Sequence, residues 1–95
     1  MNIYTVVHLS EFNRHGVACS INIRHFISKQ AAIDNMYSRF EACCDAFDET
    51  GEYYDSDIND YLGYAYIRHF EGDPYGAEPQ TPVYDHDWRI ITESL

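Results

Sequence analysis

Basic residues are scarce in this chain: six Lys and Arg stand against sixteen Asp and Glu in 95 residues, a formal net charge of -10. Such a surface repels polyphosphate and anionic membrane, so direct nucleic-acid binding and electrostatic membrane attachment are disfavoured at the outset. Cysteine is scarce too. Cys19, Cys43 and Cys44 are odd in number and two are adjacent, which suits neither a disulfide framework nor a spaced metal knuckle. They are expected to be reduced, semi-buried thiols of a cytoplasmic protein. No apolar run approaches membrane-spanning length, and Met1 to His8 lacks the basic start and long apolar core of a signal peptide. The chain is therefore expected to work where it is made, in a bacterial cytoplasm if its partner is a bacterial one.

Motifs for chemistry are missing as well. There is no glycine-rich phosphate loop, and the six bases are scattered. His8, His15, His25, His69 and His86 form no helical metal pair, and the neighbours in Asp85-His86-Asp87 cannot all point one way on an extended chain. The histidines are expected at the surface, with no metal and no cofactor. Cys43 and Cys44 lie among acids, which disfavours a reactive thiolate, and core packing on a strand explains Cys19 better than a partnership with His15. Sixteen acids always provide carboxylate pairs, so pairing by count carries no signal. A chain of 95 residues leaves little room for a substrate cleft beside its core. An enzyme is not expected.

What is present is a foldable domain. Hydrophobic residues make up 45% of the chain and aromatics 16%, too much for a disordered acidic tail, and the length supports one domain over residues 1–95. Ile3 to Leu9 is β-branched and alternating, and Val17 to Ile23 alternates again after a turn over Glu11 to Gly16. From Ser28 the period changes. Ala32, Ile33, Met36, Tyr37, Phe40, Cys43, Cys44 and Phe47 recur at steps of three and four, which predicts an amphipathic helix with Ser28 as N-cap, ended by Gly51. Tyr61 to Phe70 reads as a strand with a bulge at Gly63, Glu71 to Pro82 as a turn-rich connection, and Val83 to Thr92 as a short final strand. The expected fold is α+β: a small antiparallel sheet of three to four strands with one helix packed across it, in the order β-β-α-β(-β).

Asp45 to Asp60 dominates the charge. Asp45, Asp48, Glu49, Glu52, Asp55, Asp57 and Asp60 fall within sixteen residues that hold no Lys or Arg, beside Tyr53 and Tyr54. Acids in the helix's last turn oppose its dipole, and residues that work against their own helix point to a role outside it. Carboxylates two apart on a strand or four apart on a helix are spaced roughly 5 to 7 Å apart, of the order of the distance between successive phosphates. Glu41, Asp45, Asp48, Glu49 and Glu52 are expected to form one anionic row, continued by Asp55, Asp57 and Asp60 and, if the chain there is extended, by Glu71 and Asp73, with Tyr53 and Tyr54 as apolar contacts. The expected partner is a basic nucleic-acid-binding host protein complex that takes this row for a polynucleotide. The rival readings are a solvated acidic loop that confers only solubility, and a non-enzymatic assembly module that forms a homodimer through an aromatic sheet face of Tyr64, Tyr66, Phe70 and Trp88.

Two segments carry a family resemblance. Thr5-Val-Val-His-Leu-Ser-Glu-Phe-Asn13 resembles the opening strand and turn of ArdA-type antirestriction proteins at Leu9, Phe12 and Asn13, and Tyr66-Ile-Arg-His-Phe-Glu-Gly72 resembles a later strand end at Ile67, Phe70, Glu71 and Gly72. The resemblance implies an acidic DNA mimic, encoded by a phage or mobile element, that occupies the DNA groove of a restriction-modification enzyme. The chain departs from the family in its shortness, in His69 where the family has Asp, and in the added charge of Arg68. A CRISPR effector with a positive nucleic-acid channel fits the same expectation.

Overall fold

The computed structural model describes residues 1–12, 19–51, 53–71 and 81–95, with only the backbone of 12, 19, 71 and 81–83. The described elements are β1 (Asn2–Phe12), β2 (Cys19–Phe26), α1 (Lys29–Thr50), β3 (Tyr54–Asn59), β4 (Tyr64–Glu71) and β5 (Thr81–Ser94). Every strand pairing is antiparallel, and the sheet order is β2-β1-β5-β4-β3. The α+β class with one helix is as expected. The sheet has five strands rather than three to four.

The helix ends where its residues dictate. The Ser28 side chain accepts the Ala31 backbone N–H at 3.3 Å, and Gly51 closes the helix in the left-handed conformation at φ 70°. Ala32, Met36 and Phe40 recur every four residues and are buried against Val6 of β1, Ala65 and Ile67 of β4 and Trp88 of β5. Trp88, Met36 and Ile67 are the largest side chains wholly removed from solvent, and burying each contributes about 1.5–3 kcal/mol.

Four local expectations are corrected. The acidic stretch contains a strand: Tyr54, Ser56 and Ile58 turn inward and Asp55 and Asp57 outward, a period-two pattern hidden by the run of acids. The predicted strand over Tyr61 to Phe70 begins only at Tyr64, because Asp60 to Gly63 is a turn, tied by the Asn59 carboxamide accepting Leu62 N–H at 2.8 Å. Gly63 there is not a bulge but a left-handed turn residue at φ 70°, and a Cβ would lie 3.2 Å from Ile90 Cβ. The final strand is long, running from Thr81 to Ser94 along the whole of β1. The predicted turn at Asn13 to Gly16 and most of the predicted connection after Glu71 lie outside the described residues.

One sheet face is covered by α1 and the other is bare of described elements. Alternation puts Val6, His8, Ser10, Ile67, His86 and Trp88 on the helix side, and Val7, Leu9, Ile21, Ile23, Tyr64, Tyr66, Arg68, Asp85, Asp87 and Arg89 on the other. The aromatic dimer face suggested by the sequence does not exist as such. Trp88 is fully buried under the helix, while Tyr64 and Tyr66 stand on the opposite face, because residues 64 and 66 pair with 89 and 87, out of phase with 88.

Candidate partner-binding surface

The carboxylates of the acidic stretch divide into two sets, each fixed by the element that carries it. Glu41, Asp45, Asp48 and Glu49 occupy the solvent side of α1, all exposed, with Asp45 and Glu49 four residues beyond Glu41 and Asp45 respectively, and Asp48 three beyond Asp45. Asp55 and Asp57 project from β3 to the face away from the helix. The single row expected from the sequence is thus not formed. The strand's alternation turns its acids under the sheet while the helix holds its own above, and the two sets flank one sheet edge. Asp60 is exposed in the turn after β3, beside a shallow groove lined by Lys29, Gln30, Ile33 and Tyr61. Glu52 lies outside the described residues.

Tyr54 links the sets. Its hydroxyl donates to Asp48 Oδ1 at 2.8 Å and its ring lies 5.5 Å from that of Phe47, so the helix end is pinned to the start of β3. That bond to a carboxylate, with some burial, pushes the Tyr54 hydroxyl far above its usual pKa. Tyr53 is exposed and packs 5.6 Å from Phe70. Of the two predicted aromatic contacts, then, Tyr53 is available at the surface and Tyr54 is structural.

Among the described residues no ion pair joins a base to these acids. Arg68 donates to Asp87 Oδ1 at 3.0 Å, approaches Asp85 at 3.7 Å and lies 4.9 Å above the Tyr66 ring. In register, Arg68 separates Asp55 from Asp85 and Tyr66 separates Asp57 from Asp87. Arg68 is therefore engaged by the β5 acids, and among the described residues Asp57 receives only the Tyr64 hydroxyl at 3.3 Å. Charge from Asp57 raises the Tyr64 pKa in turn. Asp85 and Asp87 were missed as members of this face. Their signal was the alternation of Asp85-His86-Asp87 itself, which on a strand sends both acids one way and the histidine the other.

The histidine between them belongs to the interior. His86 Nδ1 lies 2.9 Å from His8 Nε2, and Ser10 Oγ lies 3.1 and 3.3 Å from the two nitrogens. His8 stacks on Trp88 with centroids 4.2 Å apart and 12° between planes. This corrects the expectation of surface histidines for these two rings. Both are half-buried, because His8 is in phase with Val6 and His86 with Trp88. Burial, then the neighbouring His86, lowers His8 to about 4, and burial lowers His86. Both imidazoles are neutral at pH 7. Ser10 is 8% exposed, and a nucleophile needs an approach that this hydroxyl lacks. The trio is an internal polar cluster in which each group satisfies the others.

Cys43 and Cys44 are half-buried free thiols. Burial raises both, and for Cys44 the charges of Asp48 and Asp45 add to it, which opposes thiolate formation. Among the described residues no three His, Cys, Asp or Glu converge as a metal site, and no helix is long and apolar enough to cross a membrane.

No family model matches the chain, and no curated protein or solved structure matches it either. Of the positions that carry the ArdA-type resemblance, Asn13 and Gly72 lie outside the described residues and Ile67 is a core residue, so its identity answers to packing before any shared ancestry.

Proposed function

We propose that this chain is a non-enzymatic, acidic inhibitor that occupies the positively charged nucleic-acid groove of a bacterial defence complex, a restriction-modification enzyme or a CRISPR effector. It would act in the host cytoplasm and be encoded by a phage or mobile element. The observation that carries the reading is the exposed set Glu41, Asp45, Asp48 and Glu49, held at helical spacing and without a basic partner among the described residues. A solubilising loop needs no such order.

Magnitudes limit what is imitated. The molecule extends 52 × 24 × 20 Å, and a single DNA strand over that length carries roughly 15 phosphates, the duplex about twice as many. Sixteen acids and a net charge of -10 fall well short of a duplex, and the acids divide between two faces of the sheet. The helix set would therefore replace a short run of phosphates of one strand, with Tyr53 and Phe70 adding apolar contact beside the anions. Binding would set carboxylates against the basic residues that otherwise hold phosphates, and screening of those pairs would weaken it as salt rises.

The test is competition. Purified protein is titrated into complexes of duplex DNA with a type I restriction enzyme, and with a CRISPR effector, across a salt series. Displacement of DNA that fades as salt rises, and that vanishes when Asp48, Glu49, Asp55 and Asp57 are all changed to Lys, is the expected result. Displacement of DNA from neither complex, or displacement indifferent to the charge reversals, sinks the proposal.

A further inference from the structure

Strand β2 is exposed in a way that the described residues of its own chain do not explain. Ser20 to His25 are six consecutive exposed residues, on both faces of the strand. Ile21 is 62% and Ile23 55% exposed. Among the described residues β2 is hydrogen-bonded on one side only, to β1. Several usual protections of a sheet edge are missing from the strand: over its eight residues it has no proline, no lysine and no acid, and Arg24 is its only fixed charge.

We infer that the outer edge of β2 pairs with β2 of a second copy of this chain, antiparallel about a two-fold axis through Asn22, to make one continuous ten-stranded sheet. In that register Ile21 of each copy faces Ile23 of the other, twice, on the bare face of the sheet. Val7 and Leu9 lie beside them, since Leu9 pairs with Ile21 and Val7 with Ile23 within each chain. Eight aliphatic side chains then form one patch across the axis. On the helix side Asn22 meets Asn22, and Arg24 meets Ser20.

Charge selects this edge over the other. Pairing β3 with itself about Ser56 would set Asp55 directly opposite Asp57 twice, and like charges directly opposite destabilise a strand pair. Pairing β2 brings no like-charged pair into opposition. The only acid before Asp34 is Glu11, against Arg14, Arg24 and Lys29, so most of the negative charge lies in the remainder of each chain, and the acidic β3 edges become the two outer borders of the dimer. The contact is narrower than the roughly 800 Å² per partner of a standard complex. A reversible, concentration-dependent dimer is the form it takes.

Sedimentation velocity over a concentration series tests the pairing. Wild-type protein should pass from monomer to dimer as concentration rises. Ile21→Lys/Ile23→Lys should stay monomeric throughout, with the circular dichroism and unfolding midpoint of the parent, because both side chains are exposed in the monomer. Asp55→Lys/Asp57→Lys should dimerise like wild type. Under oxidising conditions Asn22→Cys should form a disulfide across the two-fold axis and Ser20→Cys should not, since the cross-axis partner of residue 20 is residue 24. A wild-type chain that remains monomeric at every concentration overturns the inference, and so does a double-lysine variant that dimerises normally or crosslinking at residue 20 instead of 22. The outcome is independent of the competition for DNA grooves, which reads a different surface.

Discussion

The two edges of the sheet are built on opposite rules. β3 is six residues long and carries Asp55 and Asp57 on its outward face; β2 is eight residues long and carries Ile21 and Ile23 there. Charge on a strand edge prevents pairing with a foreign strand, so Asp55 and Asp57 have a sufficient structural reason to be acidic. Glu41, Asp45 and Glu49 do not, whereas Asp48 also holds the Tyr54 hydroxyl. They protect no edge, and those in the last turn oppose the helix dipole, with no base in that turn to offset them. The helix acids are therefore the ones left to serve a partner, and the strand acids decide which edge stays open.

The largest effect comes from the support that both edges share. Trp88→Ala empties the core between α1 and the sheet and should cost about 3–5 kcal/mol by denaturant unfolding; a smaller loss would mean that the edges are held independently. Next is acidification. His8 titrates near 6.5 when unfolded and is lowered to about 4 in the fold, so between those values the unfolded chain binds more protons and stability falls as pH drops. For a half-buried ring, discounted for solvent screening, the loss is about 1–2 kcal/mol. Unfolding midpoints for wild type and His8→Gln should converge as pH falls from 6.5 to 4, and parallel curves would refute the assignment to His8.

Exchange of edge chemistry follows. Asp55→Ile/Asp57→Ile removes the repulsion from β3 and leaves each molecule with two open edges, so light scattering should report open-ended assemblies; a variant no larger than the wild type would show that charge is not what keeps β3 unpaired. The smallest effect separates function from stability. Glu49→Lys at the helix C-terminus should stabilise the protein by about 0.3–1 kcal/mol through the dipole while weakening competition with DNA. Destabilisation by this change would mean that Glu49 has a structural role.

Much of this architecture could be read from the chain. Ser28 and Gly51 delimited the helix, and the four-residue recurrence of Ala32, Met36 and Phe40 named its buried stripe, because caps and periodicity are local properties of backbone geometry. Strand β3 escaped notice since Tyr54, Ser56 and Ile58 form a weak apolar alternation that only the neighbouring β4 completes. The His8–His86 contact joins residues 78 positions apart, and no local pattern could announce it.

The candidate surface divides the same way. Its residue types and their density were plain in the sequence; that Asp45 and Asp55 face opposite sides of the sheet was not, because the facing of a strand depends on which edge it pairs with and which side the helix covers. By itself the sequence determined composition, charge, the single helix and its ends, all of which follow from short-range preference. Tertiary structure alone decided which acids stand together, which histidines lose their charge and which edge is left unpaired, since each of these results from contacts between segments far apart in the chain.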